Sequence, residues 1–94
     1  MNEPIVESTG NIFADLGFES GEAAILQMRA KLMNDLRAYI ESSGITQMEA
    51  AERLGIAQSR VSDLVRGKWD KFSLDMLITL ATRAGKKVEL KLAA

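Results

Sequence analysis

The stretch Thr46-Gln47-Met48-Glu49-Ala50-Ala51-Glu52-Arg53-Leu54-Gly55-Ile56-Ala57-Gln58-Ser59-Arg60-Val61-Ser62-Asp63-Leu64-Val65-Arg66-Gly67-Lys68 reads as two short helices and the bend between them. Thr46 with Glu49 three residues on is a capping box, in which hydroxyl and carboxylate each take an orphan backbone N–H. Met48, Ala51 and Leu54 then recur at helical spacing, so a two-turn helix starts near Gln47. Gly55 supplies the left-handed residue on which that helix stops. Ile56 plugs the turn, and a second helix begins at about Gln58.

The second helix has two unlike sides at about 100° per residue. Ala57, Val61, Leu64 and Val65 gather on one, which is the core side. Ser59, Ser62, Asp63 and Arg66 lie opposite, with Gln58 and Arg60 at the edges. That side offers short hydrogen-bonding groups and an arginine, and no large apolar residue. Two helices joined by a glycine-containing turn, the second presenting small polar groups at its start, is the helix-turn-helix pattern, whose second helix enters the DNA major groove.

The run Thr46-Gln47-x-Glu49-x-Ala51-x-x-Leu54-Gly55-Ile56, then Gln58-Ser59-x-Val61-Ser62-x-Leu64 and Gly67-Lys68, resembles the Cro/phage-repressor (XRE) family over about half of the chain. Asn11-Ile12-Phe13-Ala14-Asp15-Leu16-Gly17-Phe18, Phe72-Ser73-Leu74-Asp75 and the terminal Val88-x-Leu90-x-Leu92 narrow the likeness. Together they resemble XRE-type antitoxins encoded beside RelE-like (Hig-type) toxins. The resemblance implies a lambda-repressor-like bundle that binds double-stranded DNA, and a RelE-like toxin as partner; a two-fold dimer would match a palindromic operator.

Composition narrows the classes. There is no cysteine and no histidine, which removes disulfides, thiolate or imidazole metal sites and most nucleophile–base pairs. Carboxylates such as Glu49/Glu52 and Asp70/Asp75 sit at cap or surface positions, so we expect no enzyme, no metal and no cofactor. No run approaches the roughly 18 apolar residues of a membrane span, and no basic-then-apolar leader opens the sequence, so the expected location is cytoplasmic. The net charge of −1 looks wrong for a nucleic-acid binder until the chain is split. Residues 1–43 hold three basic and seven acidic side chains; residues 44–94 hold nine and six. Arg60, Arg66, Lys68 and Lys71 cluster at the two-helix motif.

Taken in order, residues 1–19 read as a flexible arm carrying one helical turn over Ile12–Leu16. The apolar set Ile12, Phe13, Leu16 and Phe18 either packs back on the domain or docks on a partner protein. Residues 20–85 form the DNA-binding domain. Its first helix opens at Ser20, ends near Gly44 and carries a stripe of Ile25, Met28, Leu32, Leu36 and Ile40. Ser73 caps a last helix through Ala84, with Leu74, Leu77, Ile78 and Ala81 facing the core. Met76 and Leu80 form a second stripe roughly 100° round, which suits a subunit contact. Residues 86–94 change period: Lys87-Val88-Glu89-Leu90-Lys91-Leu92 alternates as a half-buried strand does. A lone strand is not stable, so the tail is expected to pair with its copy in a homodimer; strand addition from another protein is the alternative.

The expected fold is therefore all-α, four to five helices in a small helix-turn-helix bundle, plus a C-terminal β-strand used for dimerisation. The expected interface is Met76, Leu80, Val88, Leu90 and Leu92. The expected DNA contacts are Gln47, Gln58, Ser59, Arg60, Ser62, Arg66 and Lys68. Gln58 can pair bidentately with adenine N6 and N7, and the resemblance implies a base-reading glutamine at this match. Ser59 and Ser62 reach bases or phosphates, although relatives often carry longer groups at Ser59. Arg60 suits guanine or a phosphate, with Asp63 restraining Arg60 or Arg66. Gln47 sits where a helix dipole favours phosphate, a contact that the resemblance also implies. Arg66 and Lys68 act as backbone clamps, and Trp69 either lends its indole N–H or packs on the loop. A phage-type regulator without a toxin, or a protein-interaction module with a vestigial motif, are the alternatives.

Overall fold

Glu19 starts the longest element. Its extended backbone and side chain make it the cap of α2 (Ser20–Ser43), with Glu19 Oε1 accepting the Glu22 N–H at 3.0 Å. Backbone N–H donors from Glu22 and Gly21 hold the Glu19 carboxyl below the usual glutamate range. At the far end Gly44 takes the left-handed conformation, at φ 66°. The structure is a computed structural model and describes residues 12–93, so the expected arm at residues 1–10 lies outside the described part.

Around α2 the order is α1 (Ile12–Asp15), α3 (Gln47–Leu54), α4 (Gln58–Val65), a 3-10 turn (Trp69–Lys71) and α5 (Leu74–Arg83). The described residues thus hold five α-helices, within the expected four to five. The helical turn expected at Ile12 is α1, and it folds back onto the domain. Ile12 and Phe13 line a shallow pocket with Gln27, Ala30 and Asn34 of α2. The Phe13 ring stands edge-on to Phe18 at 6.1 Å and to Trp69 at 6.0 Å. Edge-to-face pairs at that spacing add modestly to area burial. Trp69 thus packs on α1 while staying 37% exposed.

The core joins Met33, Leu36 and Ile40 of α2 to Ala50, Leu54, Val61, Leu64, Phe72, Leu77, Leu80 and Ala81. The stripe expected on α2 is corrected in its first half. Ala23, Leu26 and Met33 are buried there, while Ile25 and Met28 are each 45% exposed. The helix is apolar on more than one side, and α1 packs against the side carrying Gln27, Ala30 and Asn34. Ala57, expected on the core side of α4, is exposed at the helix start.

Two further corrections concern the expected dimer surface. Leu80 is 0% exposed within a single chain and has no face to offer a partner. The core side of α5 is centred on Leu77, with Leu80 and Ala81 beside it. Met76 and Ile78 are the half-buried flanks. What read as two stripes is one broad face. In the tail, residues 86–93 form no strand, and the described residues contain no strand anywhere. A polar/apolar alternation sets which side chains share a face, but backbone pairing needs a neighbouring strand, and one chain supplies none. Leu90 and Leu92 stay 81% and 89% exposed. Among the described residues no helix is long and apolar enough to cross a membrane.

Candidate nucleic-acid interface

The capping box predicted for α3 is formed on both arms. Thr46 Oγ1 accepts the Glu49 N–H at 3.1 Å, and Glu49 Oε1 accepts the Thr46 N–H at 2.8 Å. This leaves Gln47, half-buried, as the first residue of the helix. At the other end Gly55 has φ 69°, a left-handed value that side chains rarely adopt, and its N–H reaches the Ala51 carbonyl. Ile56 follows, its N–H also on Ala51 O at 3.1 Å and its side chain packed against the core.

α4 is anchored by Val61 and Leu64, both without exposed surface, and by Val65 at the core edge. Gln58, Ser59 and Arg66 are exposed; Ser62 and Asp63 are half-buried. Ala57, the residue before the helix, has extended backbone and no side-chain acceptor. Among the described residues, no acceptor meets the N–H groups of Gln58 and Ser59. The start of α4 therefore presents open amides beside the Gln58 side chain.

The cations fall differently from expectation. Arg60 is half-buried: Nη2 donates to the Lys71 carbonyl at 3.0 Å and the guanidinium lies 4.5 Å from the centre of the Phe72 ring. Arg60 thereby joins α4 to the 3-10 turn. Asp63 pairs with neither Arg60 nor Arg66. Its Oδ1 lies 3.8 Å from Lys68 Nζ, and its carbonyl accepts the Lys68 N–H at 3.0 Å. Asp63 thus orients Lys68 at the end of the loop. Sequence reasoning also missed Arg37. Counted with the acidic first half, it reaches from α2 to the bend after α4, where a Cβ on Gly67 would lie 3.8 Å from Arg37 Nη1. Its Nε is buried without a hydrogen-bond partner. No local spacing marks this approach, which joins α2 to the bend after α4.

The geometry is that of a helix-turn-helix unit with an open second helix. Comparisons with known proteins agree on the class: a family profile described as a helix-turn-helix domain matches residues 12–93. No curated protein matches the chain significantly. A solved structure provisionally described as an XRE family transcriptional regulator superposes with a TM-score of 0.72 at 34% identity, over 78% of this chain and 82% of that one. The chain belongs to the XRE family of helix-turn-helix proteins.

Proposed function

We propose that the chain is a sequence-specific DNA-binding repressor that acts by binding and not by catalysis, in the cytoplasm, as a homodimer on a palindromic operator. The observation that carries this reading is the outward side of α4, where Gln58, Ser59 and Arg66 are exposed and nothing among the described residues covers them. In this assignment Gln58 and Ser59 read base edges and Ser62 follows them into the groove. Gln47, Arg66 and Lys68 grip phosphates on either side. Arg60 holds the loop that carries Lys68 and Lys71.

Two-fold symmetry would set a pair of recognition helices about 34 Å apart, one turn of duplex. The surface available for a second copy is the groove of about 930 Å³ between α2, α5 and the tail, lined by Met28, Leu32, Tyr39, Ile78, Val88 and Leu90. Leu90 and Leu92 have little cover in one chain and Val88 is partly exposed beside them, which supports burial against a copy. Met76 sits on the opposite flank of α5 from Ile78, so the tail and Ile78 replace the Met76/Leu80 pair as the expected contact.

The finer reading is an antitoxin that controls its own operon and neutralises a RelE-like toxin. Its support is the resemblance of the segments flanking the motif, together with the exposed Ile12, Leu16 and Phe18 around α1. Packing of Phe13 on Trp69 favours the second reading, a regulator without a toxin, in which α1 belongs to the domain alone. In vitro selection from a random duplex library, then anisotropy titrations across salt, tests the first part. Gln58→Ala should lose about 1–3 kcal/mol on the selected duplex and almost nothing on a scrambled one. Equal binding of both duplexes by the wild type rejects sequence-specific recognition. Co-expression with the adjacent reading frame tests the antitoxin: a small basic protein should be inhibited and co-purify, and free toxicity would reject the pairing.

A further inference from the structure

The turn between α3 and α4 is held from outside the motif. Leu54 contributes one of the last carbonyls of α3, which have no partner within their own helix. Arg83, in the last turn of α5, donates from Nη1 to that carbonyl at 2.8 Å, across 29 residues of sequence. A cation at a helix C-terminus is favoured by the macrodipole, and a charged donor makes the stronger kind of hydrogen bond. The same Nη1 would lie 3.1 Å from a Cβ on Gly55. Gly55 is therefore needed twice, for its positive φ and for the guanidinium resting against it. One arginine thus closes the end of α3 at the residue where the chain turns toward Ile56, Ala57 and the reading helix.

We propose that Arg83 is a positioning residue for DNA recognition: its bond to Leu54 O sets the tilt of α4 against α3, and so the placement of Gln58 relative to Gln47. This rests on the DNA-binding reading above and adds a residue outside the helix-turn-helix to it. Because Arg83 acts through the turn, its loss affects sequence discrimination and leaves the number of phosphate contacts unchanged.

The test uses the full chain, Arg83→Met and Arg83→Lys, a 30-base-pair duplex selected in vitro by the wild type, and a scrambled duplex of the same composition. Arg83→Met should lose about tenfold on the selected duplex, stay within about twofold on the scrambled one, and keep the wild-type salt slope. Arg83→Lys, which can still donate to Leu54 O, should recover most of the loss. Hydrogen exchange at the Ile56 amide, read while the α2 core amides remain protected, should quicken in Arg83→Met and not in Arg83→Lys. Wild-type affinity and Ile56 exchange in Arg83→Met would overturn the proposal. So would an equal loss on both duplexes with a salt slope lower by about one unit, which would make Arg83 a phosphate contact. If the wild type selects no duplex, the DNA reading fails and takes the tilt assignment with it, while Ile56 exchange still decides whether Arg83 holds the turn.

Discussion

Replacing Arg60 by alanine separates a strut from a reader. Among the described residues the side chain makes a hydrogen bond to the Lys71 carbonyl at 3.0 Å and a cation–π contact at 4.5 Å from the Phe72 ring centre. A hydrogen bond from a charged donor contributes about 1.5–3 kcal/mol in general; this one is open to solvent, so about 1 kcal/mol is the fitting share. The ring contact adds about 0.5–1 kcal/mol at an accessible site. The expected loss is then about 1.5–2 kcal/mol, which for a domain of this size lowers the melting temperature by roughly 6–16 °C. Arg60→Lys keeps the cation over the ring and should lose about half as much. Far-UV circular dichroism melts of both variants, beside anisotropy titrations on the selected duplex, give the answer. A melting temperature within 2 °C of wild type, as a rough limit, together with a large loss of DNA affinity, would refute the strut and return Arg60 to the groove.

Lys68→Ala should weaken binding to every duplex alike and lower the salt slope by about one unit; an unchanged slope in titrations from low to moderate salt would remove it from the backbone. Leu80→Ala should cost about 2–5 kcal/mol of monomer stability, since the side chain is fully buried; chemical denaturation at several protein concentrations checks that the loss does not depend on dimerisation. Glu19, its carboxyl held low by the Glu22 and Gly21 amides, stabilises the start of α2 above its unfolded pKa. That contribution fades as pH falls through its lower folded value, so Glu19→Gln should flatten the acid dependence of amide exchange at Glu22.

What the sequence disclosed well is local. The Thr46/Glu49 box, the Gly55 stop and the Ser73 cap each involve groups within four residues of one another, so residue type and spacing define them. The choice of which apolar side a helix buries is not local. Leu80 and Leu77 lie a turn apart on one broad face, and only the positions of α2 and α3 make Leu80 core. The same holds for charge. Asp63 was expected to meet an arginine one turn away, yet the chain bends at Gly67 and brings Lys68 back instead. Arg37 and Arg83 lay outside the motif in sequence and beside it in space, beyond the reach of any spacing rule.

Ala57 has a consequence for how far this protein can be stabilised without harm. Alanine is among the poorest residues in front of a helix, and serine or asparagine there would add about 0.5–2 kcal/mol. A hydroxyl or amide oxygen at that site would, however, draw on the Ser59 N–H, one of the two donors that stand open at the mouth of α4, and leave only Gln58 N–H free. An engineered variant hardened at position 57 would be sturdier when heated and a poorer host for a phosphate oxygen, so thermal robustness and operator grip pull this single position in opposite directions.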